Sequence, residues 1–170
     1  IEGAIKQNIN KKVAIEIFEL LEKFAEYGFN KSHAAAYTII SYQTAWLKTN
    51  YPAEFFAANL SSEMDNSDRI VNLLSSAKIT GLNVLPPNIN TSFSNFVALD
   101  NQNIAYGLAA IKNIGFKAAK AISKYRNEHG KYESIFNLCQ IDPRIINRKI
   151  LESLIMAGAC DGLGEHRSQL

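Results

Sequence analysis

This sequence is short of several things, and each shortage removes a class of protein. Its 170 residues hold two cysteines, four prolines and one tryptophan. Cys139 and Cys160 form no C-x-x-C pair, which argues against a disulfide-stapled secreted scaffold and against a cysteine-rich zinc module. The expectation is two reduced, buried thiols in a cytoplasmic protein. No run of about 18 apolar residues occurs, so no membrane-spanning helix is expected. The opening Ile-Glu-Gly-Ala lacks a basic stretch leading into an apolar run, so no signal peptide is expected. The chain does not start with Met, which fits a piece of a longer protein. No Asp-x-Asp is present, and Asp65, Asp68, Asp100, Asp142 and Asp161 are scattered. Paired carboxylates are what metal-assisted phosphoryl chemistry needs. The expectation is therefore no catalytic residue and no metal site in this chain.

What is present is enough apolar material for a core, 47% of residues, in one domain or two small ones. The formal net charge of +2 is unevenly placed. Residues 1–100 carry 8 Lys/Arg against 10 Asp/Glu, and residues 101–170 carry 10 against 6. A basic excess in the second part fits a nucleic-acid footprint, and it fits a solvated surface equally well.

Periodicity makes the chain mainly α. Asn10 can cap a first helix in which Val13, Ile17, Leu20, Leu21 and Phe24 recur at helical spacing, with Gly28 at its end. Ser32 can cap a second helix running towards Leu47, and Asn50-Tyr51-Pro52 breaks it. Pro52 suits the first turn of a third helix, Ala53 to Leu60. Ser67 or Asp68 caps a fourth with Ile70, Leu73, Leu74 and Ala77 as its apolar face. After Pro86-Pro87, residues 88–106 read as a small β-hairpin turning at Asp100-Asn101-Gln102-Asn103. Helices follow near 116–128, 133–139 and 147–157.

One stretch carries chemistry through its shape. The segment Leu108 to Ile111 runs into a tight turn, Lys112-Asn113-Ile114-Gly115, and a helix starts at once. Free N–H groups at a helix start attract phosphate, Gly115 permits close approach, and Ile114 points inward as an anchor. In the helix, Ala118, Ala121, Ile122 and Tyr125 form a buried stripe, while Lys117, Lys120 and Lys124 form a basic one. This pattern resembles the helix-hairpin-helix motif of proteins that bind DNA without sequence specificity. The family's first hairpin glycine is Asn113 here. Asn tolerates positive φ, so the turn survives; in that family such turns often hold a monovalent cation through their carbonyls. An ordinary helical turn with a lysine-decorated surface fits the same residues. An echo, Ile146 to Ala159, has basic residues at a helix start and a stripe of Ile150, Leu151, Leu154 and Ile155, but no glycine hairpin. It is expected to pair with the first motif structurally.

A second segment, Tyr27-Gly28-Phe29-Asn30-Lys31-Ser32-His33-Ala34-Ala35-Ala36-Tyr37, sets a lysine, a hydroxyl and a histidine around a helix start. A triphosphate uses such a set, although a lone histidine is more often structural. The stretch as a whole closely resembles the fingers of the C-family replicative DNA polymerases of bacteria, the DNA polymerase III alpha subunits. The resemblance continues through Ser41-Tyr42-Gln43-Thr44-Ala45-Trp46-Leu47-Lys48, Tyr51-Pro52-Ala53-Glu54-Phe55 and Ser61-Ser62-Glu63-Met64-Asp65-Asn66. It runs on in Leu85-Pro86-Pro87-Asn88-Ile89-Asn90 and Tyr106-Gly107-Leu108-Ala109-Ala110-Ile111-Lys112, and closes on Ala157-Gly158-Ala159-Cys160-Asp161-Gly162-Leu163-Gly164. Cys160 stands where that family is expected to have Phe.

The resemblance implies a helical fingers subdomain over 1–86, a β-hairpin connector over 87–106 and a tandem helix-hairpin-helix region over 107–170. It implies nucleotide contacts from Asn30, Lys31, Ser32, His33 and Tyr37. It implies duplex contacts from Lys112, Asn113, Ile114, Gly115, Lys117, Lys120 and Lys124. In the full enzyme it implies Mg²⁺ held by palm aspartates outside this chain. The implied partners are primer–template DNA, deoxynucleoside triphosphates, the sliding clamp and other replicase subunits, with no membrane. A stand-alone helix-hairpin-helix module of a repair or recombination protein, and a helical scaffold without DNA contact, are the competing readings. The 27–37 segment separates the first reading from these, since a plain DNA-binding module has no use for a triphosphate site.

Overall fold

The computed structural model describes residues 1–26 and 31–163. The expectations placed on Gly28 and Asn30, and on the side chains of Phe24 and Lys31, lie outside the described residues. The chain divides into two compact units, Ile1–Trp46 and Leu47–Leu170. Among the described residues it is mainly helical, with one small sheet. No helix among them is long and apolar enough to cross a membrane.

The first unit holds α1 (Glu2–Lys6), α2 (Lys11–Glu26) and most of α3 (Lys31–Asn50). The side-chain oxygen of Asn10 accepts the Lys12 N–H at 2.9 Å, the capping role its type suggests. Ser32 does not cap α3, because the helix already includes Lys31. The apolar stripe of α2 faces outward: Val13, Ile17, Leu20 and Leu21 are all exposed, and Ala14 is the buried residue of the helix among those described.

The second unit has two cores in sequence. Pro52 occupies the first turn of α4 (Pro52–Ser62), where its missing N–H costs nothing. The next helix, α5 (Ser67–Ile79), is capped by Asn66, whose side chain accepts the Arg69 N–H at 3.2 Å. That corrects the expected cap at Ser67 or Asp68: the preceding residue already supplies the acceptor. Three short strands follow, β1 (Asn83–Val84), β2 (Val97–Ala98) and β3 (Asn103–Ala105), in the order β1-β3-β2. The β2–β3 pair is the expected hairpin, with Val97 opposite Ala105. Its turn is fastened by Asp100, which accepts the N–H groups of Gln102 and Asn103, each at 2.8 Å. The bond donated by the Asn103 side chain, together with those two, holds the Asp100 carboxyl below its ordinary range. The hairpin is shorter than expected. Residues 88–96 form a loop, and β1 adds a parallel strand beside β3 that alternation does not reveal in two residues. The first core gathers Ala53, Phe56 and Leu60 of α4, Ile70 and Ala77 of α5, and Phe96 and Ile104.

The second core is built by a 3₁₀ turn at Leu108–Ala110, then α6 (Phe116–His129), α7 (Ile135–Leu138) and α8 (Arg148–Met156). It gathers Ile89, Leu108, Ile114, Ile122, Leu138, Ile146 and Leu154 among others, and Tyr106 packs against both cores. The asparagines of the loop work as backbone substitutes. The Asn90 side chain bonds both the N–H and the C=O of Tyr132, at 2.8 and 2.9 Å. Arg126 donates to the carbonyls of Ile89 and Ser92, both at 2.7 Å. One expectation about cysteine fails. Cys160 is buried, but Cys139 is exposed, because the cap residue of α7 points away from the core.

Candidate nucleic-acid interface

The turn before α6 is built as its residue types require. Ile111 and Ile114 are buried and hold it to the core, and the Ile114 N–H closes it on the Ile111 carbonyl at 3.0 Å. Lys112, Asn113 and Gly115 are exposed between and beside them. Asn113 has φ +70°, the left-handed conformation that Asn adopts more readily than most residues. Its side-chain amide donates to the Ser153 hydroxyl on α8 at 3.2 Å. The turn stands as a ridge between two hollows. One, of about 460 Å³, is lined by Tyr106, Ile111, Asn113, Ser153 and Met156. The other, of about 480 Å³, is lined by Met64, Asp65, Ser67, Lys112 and Gly115.

Gly115 is the residue before α6, with φ −77° and ψ 159°. Any residue can adopt those angles, so backbone freedom does not explain this glycine. A Cβ added there would meet no atom within 4 Å, so internal crowding does not explain it either. What glycine leaves is open space over the start of a helix that no side chain caps. The N–H groups of Ala118 and Ala119 turn to the Gly115 carbonyl at 3.0 and 3.1 Å. The N–H groups ahead of them are left to an external acceptor.

The two faces of α6 separate as the spacing predicts, with one addition. Ala118, Ala119 and Ile122 are buried, while Ala121 and Tyr125 are half-buried. Ala119 is missing from the expected stripe because a strict i, i+3, i+4 reading passes over it. Lys117, Lys120 and Lys124 are exposed, and Lys124 lies 3.7 Å from Glu128. The structure brings Lys112, Asn113, Gly115 and Lys117 together at one helix start, with Ile114 beneath them.

A second turn of the same kind precedes α8. Ile146 is buried as Ile114 is, and Asn147 stands where Gly115 stands, just before the helix. The Asn147 side chain accepts the Ile150 N–H at 3.1 Å. One first-turn N–H of this helix is therefore satisfied by a side chain. At the head of the turn, Asp142 accepts the Arg144 N–H at 2.9 Å and holds the Arg144 guanidinium through Nε and Nη2. Those bonds, with a smaller contribution from nearby Lys117, keep the Asp142 carboxyl below its ordinary range. Sequence reasoning singled out neither Asp142 nor Arg144. The signal available was an Asp two residues before an Arg at a turn.

Of the residues expected at a triphosphate, Asn30 and the side chain of Lys31 lie outside the described residues. Ser32, His33 and Tyr37 are exposed on the first two turns of α3. The His33 and Tyr37 rings are 4.2 Å apart, one helical turn from each other. Among the described residues no three His, Cys, Asp or Glu side chains could together hold a metal ion. The donor set that a Mg²⁺ pair needs is not assembled there.

The helix-hairpin-helix motif model matches residues 81–170, more than half of the chain. The chain belongs to the helix-hairpin-helix family. Across nearly its whole length it is also similar to a stretch of the DNA polymerase III alpha subunit. It is 49% identical over 170 residues to that subunit of Escherichia coli K12, 48% to that of Vibrio cholerae and 50% to that of Haemophilus influenzae, in each case over 99% of this chain and 15% of the relative. The chain thus spans about 15% of the length of the curated relatives it matches, and the resemblance read from its residues is borne out. The similarity takes in the 80 residues ahead of the helix-hairpin-helix match, which a free-standing hairpin module would not explain.

Proposed function

We propose that this chain is the distal-fingers and tandem helix-hairpin-helix portion of a replicative DNA polymerase alpha subunit, and that its own part in template-directed DNA synthesis is to grip duplex DNA by the phosphate backbone. The observation that carries the reading is the start of α6. There a helix start without a side-chain cap, an open glycine and the exposed Lys112 and Lys117 lie within a few residues of one another. Such a site reads charge and backbone shape, not bases. The fingers residues Asn30, Lys31, Ser32, His33 and Tyr37 serve the incoming deoxynucleoside triphosphate in the full enzyme. Mg²⁺ chemistry belongs to palm carboxylates elsewhere in that enzyme. The sliding clamp and the other replicase subunits are partners of the whole protein.

The test is fluorescence anisotropy of the 170-residue chain with two unrelated duplexes across a salt series. About three phosphate contacts give a log–log slope near −3 and a Kd of roughly 10⁻⁴–10⁻⁶ M for both sequences. Reversing Lys117 and Lys120 to Glu abolishes binding while thermal unfolding stays cooperative, since both side chains are exposed. Preference for one duplex, indifference to salt, or survival of the double reversal would remove the phosphate-gripping role.

A further inference from the structure

The second turn differs chemically from the first, and its side chains point to a contact that no glycine pattern reveals. We propose that Arg144, held by Asp142 at the head of the turn before α8, is a second phosphate contact, made by a side chain where the first hairpin uses its backbone. The inference rests on the duplex-binding reading above.

The geometry is that of a prepared guanidinium. Arg144 Nε lies 3.1 and 3.2 Å from the two Asp142 oxygens, and Nη2 lies 2.9 Å from Oδ2. One edge of the fork is thereby committed. Nη1 has no acceptor among the described residues, and the side chain is 90% exposed. A carboxylate behind a guanidinium fixes its plane and so reduces the rotamer freedom lost when phosphate binds. An exposed ion pair adds little to folding by itself. Its restraint of the arginine is therefore the more consequential effect.

The two turns are also fixed relative to each other. Ile114 and Ile146 belong to one buried core, and Asn113 reaches Ser153 on α8. Lys117 lies close enough to Asp142 to act on its carboxyl. Lys117 and Arg144 thus both lie near one acidic group, and both are exposed. Asn147 takes up one first-turn N–H of α8, that of Ile150, and Arg144 stands exposed at the head of the same turn.

The experiment measures duplex affinity of the 170-residue chain against salt for Arg144→Gln and Arg144→Lys beside the unaltered chain. Both variants keep the backbone N–H that Asp142 accepts. Arg144→Gln makes the log–log salt slope shallower by about 0.9, the release associated with one contact, and weakens binding about tenfold at low salt. Arg144→Lys restores the slope, because the charge returns, but not the full affinity, because the fork is lost. A slope unchanged in Arg144→Gln, or one that Arg144→Lys fails to restore, overturns Arg144 as a contact while Lys117 and Lys120 keep their role. If the unaltered chain binds without salt dependence, the duplex reading falls, and Arg144 falls with it.

Discussion

A glycine precedes α6 and an asparagine precedes α8, and the two helix starts diverge from that difference. Both turns bury an isoleucine at the last turn position, Ile114 in one and Ile146 in the other, and both enter their helix from extended backbone. At α8 the asparagine side chain bonds a backbone N–H of the first turn. At α6 nothing does. A helix start left open is slightly less stable than a capped one, and the open one here lies beside the exposed Lys112 and Lys117. Stability is thus favoured at one start and ligand access at the other, on scaffolds that are otherwise alike.

The largest effect tests the shared part of that comparison. Ile114→Ala and Ile146→Ala each remove a buried branched side chain, 3% and 4% exposed, from the same core. Each should lower unfolding stability by about 2–5 kcal/mol. Chemical denaturation measures this, and a loss several times greater at one site would show that the turns are not equivalent supports. A smaller effect tests the part that differs. Asn147→Ala should cost about 1 kcal/mol through loss of the cap. Gly115→Ser should do the reverse, adding a few tenths of a kcal/mol to stability while weakening duplex binding, because its side chain fills the open space over the helix start and its hydroxyl competes for a first-turn N–H that phosphate would use. A Gly115→Ser chain that binds DNA as tightly as the unaltered one would break the contrast between the two starts.

Much of this was legible in the sequence because the relevant signals are local. Helical spacing, Pro52, Asn10 and the turn Lys112 to Gly115 each act within a few residues. They place α2, α4 and α6 and the inward Ile114 correctly. What was not legible depends on contacts distant in sequence. The parallel strand β1 exists only because Asn103 and Ile104 come to lie beside Asn83 and Val84. The outward stripe of α2 has the spacing of a core helix, and spacing cannot say what covers it. The Asp142–Arg144 fork is local but uses ordinary turn residues, and only geometry separates it from a solvated pair. Close approach is the expectation placed on Gly115; the structure shows open space there and backbone angles that any residue adopts.

The smallest effect comes from the two thiols that bracket the second hairpin. Cys139 ends α7 and is exposed, while Cys160 follows α8 and is 1% exposed. Burial, with the nearby Asp161 carboxylate adding to it, pushes the Cys160 thiol up to about 11 from an ordinary 9.0. Reactivity follows the thiolate. A maleimide at neutral pH should therefore modify Cys139 quickly and Cys160 only at the rate at which the second hairpin opens. The sign of the pH effect follows from the proton count. Between about 9 and 11 the folded chain keeps a proton that the unfolded chain has lost. The stability tied to Cys160 is thus fully present below about pH 9 and declines as pH rises through about 11. Lysine titration also acts in that range, so the comparison is with Cys160→Ala, whose alkaline decline should be shallower than that of the unaltered chain. Duplex DNA provides the final discrimination. If the second hairpin joins in binding through Arg144, DNA should slow Cys160 labelling and leave Cys139 labelling unchanged. If only the first hairpin binds, DNA should slow Cys160 labelling less in proportion to its effect on global unfolding, and Arg144→Gln should label at the same rate as the unaltered chain with DNA present.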